Sequence, residues 1–204
     1  MKGFTLVETM VAVSIMAIAV AGPMYSADRA IVAAQNAANQ LTALYLSQEG
    51  IEYVRAMRDS EYLHAYQVDS GAPVSTADAW LYFLSSSKAS PSYPGNIYMC
   101  TGGAGGAGYA CSLDMSQPVG TGVSGSNYAL AQCSSGLSSS CPVLYVNGSG
   151  IYNVKSSGTA TPFTRSVQAT PVSGAEELIT ATTTWSFHGF QYQVVMADNL
   201  TEWQ

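Results

Sequence analysis

The chain opens with an almost uninterrupted run of apolar residues. Between Phe4 and Tyr25 the only charged residue is Glu8. A helix of about 22 residues measures roughly 33 Å, enough to cross a bilayer core of about 30 Å. This segment, residues 4–25, is therefore predicted to be a membrane-spanning helix. Lys2 is the only basic residue ahead of it and predicts a cytoplasmic N-terminus.

Helical character is predicted to continue beyond the apolar run. From Asp28 to about Arg58 the chain has no proline and only one glycine, and it is rich in Ala, Gln and Leu. Residues 26–60 are therefore predicted to form an amphipathic continuation of the helix. Its apolar stripe, expected to pack on the rest of the chain, consists of Leu41, Leu44, Ile51 and Val54.

Two local features of this helix are predicted from residue chemistry. Gly22 and Pro23 interrupt the helical pattern, and because proline lacks a backbone donor, a kink or local melting is expected there. Glu52 and Arg55 are three residues apart, a spacing at which opposite charges pair on a helix surface.

The remainder, residues 61–204, is predicted to be an extracytoplasmic globular domain. Ala77–Ser85 is predicted to be a short helix or turn, and residues 85–141 form a loop-rich region. Residues 143–204 alternate in strand fashion around turn residues. The predicted strands are Val143–Val146, Ile151–Val154, Phe163–Val172, Glu177–Phe187 and Gln191–Met196. The predicted fold class is α+β: a long N-terminal helix packed on an antiparallel sheet of four or five strands.

All four cysteines lie in the loop-rich region, at Cys100, Cys111, Cys133 and Cys141. None forms a C-x-x-C pair, which disfavours a zinc or thioredoxin-type site. Of the three possible pairings, the sequential one is favoured because each bond closes a short local loop, contributing about 2–3 kcal/mol in the chain-entropy model. Disulfides indicate an oxidising compartment outside the cytosol.

The chain start carries a family resemblance. Gly3-Phe4-Thr5-Leu6-Val7-Glu8 followed by an apolar run resembles the prepilin peptidase site of type IV pilins and type II secretion pseudopilins. A carboxylate inside an apolar helix costs about 2.5–3.5 kcal/mol on insertion scales, so Glu8 needs a partner. The ending Asn199-Leu200-Thr201-Glu202-Trp203 is similar to the closing segment of minor pilins.

The resemblance implies a processing and assembly pathway. It implies that residues 1–3 are a leader cut off after Gly3, although this leader is shorter than is usual in the family and could begin upstream of Met1. It also implies that the new Phe4 amine is methylated. Glu8 would then pair with the amine of a neighbouring subunit in an extracytoplasmic or cell-surface filament. The implied partners are other pilin subunits, the prepilin peptidase, the inner-membrane assembly platform and, before assembly, membrane lipid.

Composition and charge argue against two other classes of function. The net charge is −6 and no basic stripe is present, which disfavours direct nucleic-acid binding. The two histidines, His64 and His188, lie in no nucleophile motif, and the Gly102–Gly108 run lacks the lysine of a phosphate-binding loop. We predict no enzyme activity, no cofactor and no metal site, with an isolated cation site at Asp114 or Asp198 left open.

One alternative interpretation uses the same apolar segment as an ordinary signal peptide. Ala19-Val20-Ala21 matches a small-residue cleavage site, and cleavage there would release a secreted binding or adhesive protein starting at Gly22. Glu8, at the start of the apolar region, argues against this interpretation.

Overall fold

The structure is a computed structural model that describes residues 3, 5–68, 76–84, 97–101, 109–116 and 129–202, without the side chains of residues 64, 65, 67, 68 and 76–78. Its helices are α1 (Leu6–Val68) and α2 (Thr76–Leu84). Its strands are β1 (Cys111–Leu113), β2 (Leu130–Gln132), β3 (Val143–Val146), β4 (Tyr152–Asn153), β5 (Thr159–Ser173), β6 (Glu176–Phe187) and β7 (Phe190–Thr201). Single 3-10 turns occupy Tyr98–Cys100 and Ser138–Ser140.

The predicted α+β class is confirmed, with a larger sheet than expected. All pairs of named strands are antiparallel: β7 pairs with β6 and β6 with β5, while the other edge of β5 pairs with both β3 and β1. The described strands number seven, so the prediction of four or five was wrong. The additional strands β1 and β2 have three residues each, too few to show an alternating pattern, and they lie in the region predicted to be loops.

Two pairs of predicted strands form hairpins around their turn residues. Strands β3 and β4 pair around the Asn147–Gly150 turn. Strands β6 and β7 are joined by the two-residue turn His188-Gly189, in which both residues have positive φ, 50° and 81°. This geometry matches the right-handed twist of the strands. Strand β7 extends five residues beyond its predicted end at Met196, to Thr201.

Helix α1 ends at Val68, well beyond the predicted end near Arg58. It is continuous through Gly22 and Pro23, and the Ser26 hydroxyl donates to the Pro23 carbonyl at 3.0 Å. The local melting expected at this point is therefore absent from the described helix. A kink inside an assembled filament stays a prediction. The short predicted helix near Ala77–Ser85 is confirmed as α2.

Contacts between Cα atoms divide the chain into two compact units, Met1–Leu41 and Thr42–Gln204. The first unit consists of the N-terminal part of α1. The second contains the rest of α1, which packs on one face of the sheet. There Glu52 and Arg55 form the predicted ion pair at 2.7 Å, and Arg55 also binds Asp198 at 2.6 Å.

The helix face that packs on the sheet is only partly the predicted one. Ile51 and Val54 are buried, but Leu41 and Leu44 are 52% and 39% exposed, so their assignment to the packed stripe was wrong. The buried positions follow one side of the helix and include small and polar residues: Ala43, Leu46, Ser47, Gly50, Ile51, Tyr53, Val54, Met57, Arg58 and Glu61. Helix and sheet approach closely because side chains at the centre of the contact are small.

Two contacts show how close this approach is. The Ser47 hydroxyl donates to Thr183 Oγ1 at 2.8 Å in the buried contact between α1 and β6. A Cβ atom built on Gly50 would lie 3.3 Å from the Ala181 Cβ and 3.4 Å from Val167 Cγ2. Position 50 therefore accepts almost no additional volume.

Gly50→Leu is expected to destabilise the domain by about 1–3 kcal/mol, because the larger side chain must push α1 away from the sheet. The measurement is the urea midpoint of the full chain in detergent, followed by the fluorescence of the buried Trp80 and Trp185. Gly148→Leu is the matched control, since a Cβ at Gly148 meets nothing within 4 Å. Equal midpoints for the two variants would contradict the close packing at Gly50.

Candidate assembly site in the N-terminal helix

The N-terminus of α1 is capped by a residue of the motif itself. The backbone N–H of Glu8 donates to Thr5 Oγ1 at 3.3 Å, and the N–H of Thr9 donates to the Thr5 carbonyl at 3.2 Å. Threonine followed three residues later by glutamate is a typical helix-start pattern. The spacing from Thr5 to Glu8 is visible in the sequence, but no role for Thr5 was predicted from it. Thr5 therefore places Glu8 in the first turn of the helix.

The apolar residues of this segment are exposed. Their side chains are between 52% and 75% exposed: Leu6, Val7, Met10, Val11, Val13, Ile15, Met16, Ile18, Val20, Met24 and Tyr25. The helix is long and apolar enough to cross a membrane, and none of its most apolar window is buried within the chain. An apolar surface of this size requires lipid or other protein to cover it.

The other polar side chains between Leu6 and Tyr25 are satisfied within the helix. The hydroxyls of Thr9 and Ser14 donate to the carbonyls of Leu6 and Met10, each at 2.8 Å. The Tyr25 hydroxyl accepts from Arg29. Within the part of the chain that the structure describes, the Glu8 carboxylate has no hydrogen-bond or ion-pair partner. Glu8 is thus the one group in the segment whose chemistry calls for an external partner.

Gly3 is exposed just ahead of the helix. A Cβ at this position would meet nothing within 4 Å, and its φ is not in the left-handed region. The fold of the described chain therefore does not require glycine at position 3. If glycine is required there, the reason is an interaction with another protein. Phe4, the residue predicted to become the mature N-terminus, lies outside the described residues, as does Lys2.

The cysteines form two disulfides, Cys100–Cys111 and Cys133–Cys141, which are 11 and 8 residues apart. The first bond joins the 3-10 turn at Tyr98–Cys100 to strand β1. Cys100 and Cys111 both belong to the main hydrophobic core, so this bond ties the loop-rich region to the sheet. The glycine run Gly102–Gly108 lies outside the described residues.

A buried arginine that sequence reasoning did not single out links α1 to the sheet. Arg165 on β5 is fully buried; its Nη1 donates to Glu49 at 2.5 Å and to the Leu46 carbonyl at 3.2 Å. Its Nη2 donates to the Leu113 carbonyl on β1 at 3.1 Å. Burial lowers the pKa of the guanidinium, and the carboxylate of Glu49 opposes that shift. The arrangement is structural, since these donors bind two backbone carbonyls and the Glu49 carboxylate of the same chain.

The described residues hold little that resembles catalytic chemistry. No three His, Cys, Asp or Glu side chains among them form a group that could hold a metal ion. Asp114 accepts from the backbone N–H and the hydroxyl of Ser116, and Asp198 is paired with Arg55. His188 is exposed in its turn, and the His64 side chain lies outside the described set.

Comparison with known proteins bears on the chain start alone. Residues 1–22 match the family described as the prokaryotic N-terminal methylation motif. No curated protein and no solved structure matches the chain. The match confirms the resemblance seen in residues Gly3 to Glu8. Residues 1–22 thus carry the N-terminal motif that type IV pilins and type II secretion pseudopilins share, on a long apolar helix suited to membrane anchoring.

Proposed function

We propose that the chain is a structural subunit of a type IV pilus or a type II secretion pseudopilus. It is held in the membrane by α1, cut after Gly3 by the prepilin peptidase, methylated at Phe4 and then drawn by the inner-membrane assembly platform into an extracytoplasmic filament. Other pilin subunits replace lipid around the helix during this step. We propose no enzymatic activity and no direct nucleic-acid binding for the subunit.

The observation that carries this proposal is the isolated carboxylate of Glu8 on an exposed apolar helix. The free amine created by cleavage lies at Phe4, four residues before Glu8, so within one chain the two groups occupy the same end of the helix. In a filament of staggered subunits the amine of one chain can reach Glu8 of the next. Such a pair favours one stagger, because every other stagger leaves a buried charge unpaired.

The exposed Gly3 supports cleavage at this bond. The adjoining chain leaves the position open to an enzyme, and a glycine before the scissile bond admits a narrow active site. The signal-peptide alternative places its cut after Ala21, which lies inside the continuous helix α1 rather than before its start. No break in the helix marks the site after Ala21, so the structure does not support the signal-peptide alternative.

Intact mass and N-terminal sequencing of the protein from its native membrane fraction test the pathway. We expect a chain that begins at methylated Phe4. Gly3→Glu is expected to block processing, because a charged side chain cannot enter a site shaped for glycine, whereas Gly3→Ala allows at most partial processing. Complete processing of the Gly3→Glu precursor, or a mature chain beginning at Gly22, would overturn the proposed function.

A further inference from the structure

Tyr25 and Arg29 form a contact pair one helical turn apart near the end of the apolar segment. The Arg29 Nε donates to the Tyr25 hydroxyl at 3.1 Å, and the guanidinium carbon lies 5.2 Å from the centre of the tyrosine ring. The arginine side chain thus leans back along the helix, toward the N-terminus. Within the described chain, its Nη1 and Nη2 groups have no hydrogen-bond partner, and the Tyr25 ring is 63% exposed.

The pair also holds a distinctive place in the sequence. Asp28 and Arg29 are the only charged residues between Glu8 and Glu49, and the nineteen residues from Ala30 to Gln48 are uncharged. Hydropathy alone therefore does not show where the membrane-spanning segment ends. The charge and the aromatic ring at positions 25 to 29 mark that end.

Both side chains suit the boundary between lipid tails and head groups. A tyrosine ring places its apolar body toward the tails and its hydroxyl toward water, and arginine keeps its aliphatic stem in apolar surroundings while its head remains hydrated. The guanidinium fork matches the oxygens of a phosphate group. The free Nη1 and Nη2 donors of Arg29 are therefore suited to a phospholipid phosphate.

We propose that Arg29, supported by Tyr25, binds phospholipid phosphate in the outer leaflet and thereby sets the depth of α1 in the membrane. Glu8 and Arg29 are separated by 21 residues, or about 31 Å of helix. This length equals the thickness of a bilayer hydrocarbon core, about 30 Å. When Arg29 lies at the outer head groups, Glu8 consequently lies at the inner head groups, where its carboxylate stays hydrated until the subunit is extracted.

The inference rests on the proposed membrane-held stage, but not on the type of filament. Removing the anchor leaves only the carboxylate of Asp28 to oppose entry of the uncharged segment after Arg29 into the outer leaflet. The preference of Glu8 for water pulls the helix toward the cytoplasmic side. The expected displacement of the helix is about one turn, or roughly 5 Å. Arg29 acts here as a positioning residue, and the readout is depth in the membrane.

The experiment uses the full chain in vesicles of phosphatidylethanolamine and phosphatidylglycerol. A nitroxide is attached to a cysteine introduced at Val11 or at Ile31; the native cysteines are paired in disulfides and do not react. Depth is read from collisions with oxygen and with a water-soluble nickel complex. In the double variant Tyr25→Leu/Arg29→Gln we expect the Ile31 label to move deeper and the Val11 label to become more accessible to nickel.

Three comparisons make the test specific. Arg29→Lys is expected to retain most of the wild-type depth. Ser26→Ala, in the same turn, is expected to leave the depth unchanged. In vesicles of phosphate-free galactolipid the wild type and the double variant are expected to show equal depth. If the wild type and the double variant lay at equal depth in phospholipid vesicles, the proposed anchor would be wrong. It would also be wrong if their difference in depth were undiminished in galactolipid vesicles. Either result would leave the membrane-held stage itself intact. A wild-type Val11 label that is fully accessible to nickel would instead remove the membrane-held stage together with the anchor.

Discussion

Glu8→Ala is expected to leave the subunit in the membrane and to remove it from the filament. The substitution eliminates the only charge in the apolar segment, so insertion is at least as favourable as in the wild type. In the proposed filament the same change leaves a neighbouring amine buried without its partner, which costs about 3–5 kcal/mol. Incorporation is therefore expected to fall at least a hundredfold. The measurement is the ratio of this subunit in sheared filaments to that in membranes.

Two neighbouring substitutions make this result interpretable. Thr9→Ala removes a hydroxyl that is satisfied within its own helix, so it is expected to leave incorporation near the wild-type level. Glu8→Asp keeps the charge on a shorter side chain and is expected to retain part of the incorporation. If Glu8→Ala entered filaments as well as Thr9→Ala does, the pairing role of Glu8 would be untenable.

The globular part of the chain is expected to lose stability as the pH rises from about 5 to 8. Two carboxylates, Glu61 on α1 and Glu177 on β6, are buried, and burial raises the pKa of each to about 7 from the usual 4.5. Among the described residues, neither oxygen of Glu61 has a hydrogen-bond partner, and the same holds for Oε2 of Glu177. Each group therefore stays protonated in the folded chain at pH values where it ionises in the unfolded chain.

The sign follows from proton binding. Below about pH 4.5 both states hold these protons, and the two groups do not affect stability. As the pH rises toward 7 the unfolded chain releases its protons first, so unfolding becomes progressively more favourable. Above pH 7 the loss is complete and amounts to about 3 kcal/mol for each carboxylate. Burial is the only cause of both raised pKa values, so no neighbouring charge offsets the loss.

Urea unfolding of the full chain in detergent at pH 5, 6, 7 and 8, followed by tryptophan fluorescence, measures this dependence. The double variant Glu61→Gln/Glu177→Gln is expected to flatten the profile, since neither amide titrates. Glu176→Gln is the matched control, because Glu176 is the adjacent residue of the same strand and is only partly buried. A double variant that kept the wild-type slope would show that other groups cause the dependence.

The features that could be predicted from the sequence are those that depend on neighbouring residues. The apolar segment, the motif around Gly3, the isolated charge of Glu8 and the turns at Asn147–Gly150 and His188-Gly189 were all readable, because helix period, turn chemistry and charge are local properties. The candidate site was accessible to sequence reasoning for the same reason. It lies on one exposed helix, so no tertiary contact was needed to recognise it.

The tertiary structure alone decided which groups are buried. The large residues Leu41 and Leu44 suggested a packed face, but the helix approaches the sheet where residues are small, at Ala43, Ser47 and Gly50. Close packing selects the helix face that allows the shortest distance between helix and sheet. A pattern of neighbouring residues in the sequence does not specify that distance. Likewise, Arg165 and Glu61 appear as ordinary charged residues in the sequence. Their burial follows from the packing of α1 on the sheet, through contacts such as Arg165 with Glu49, which lie 116 positions apart.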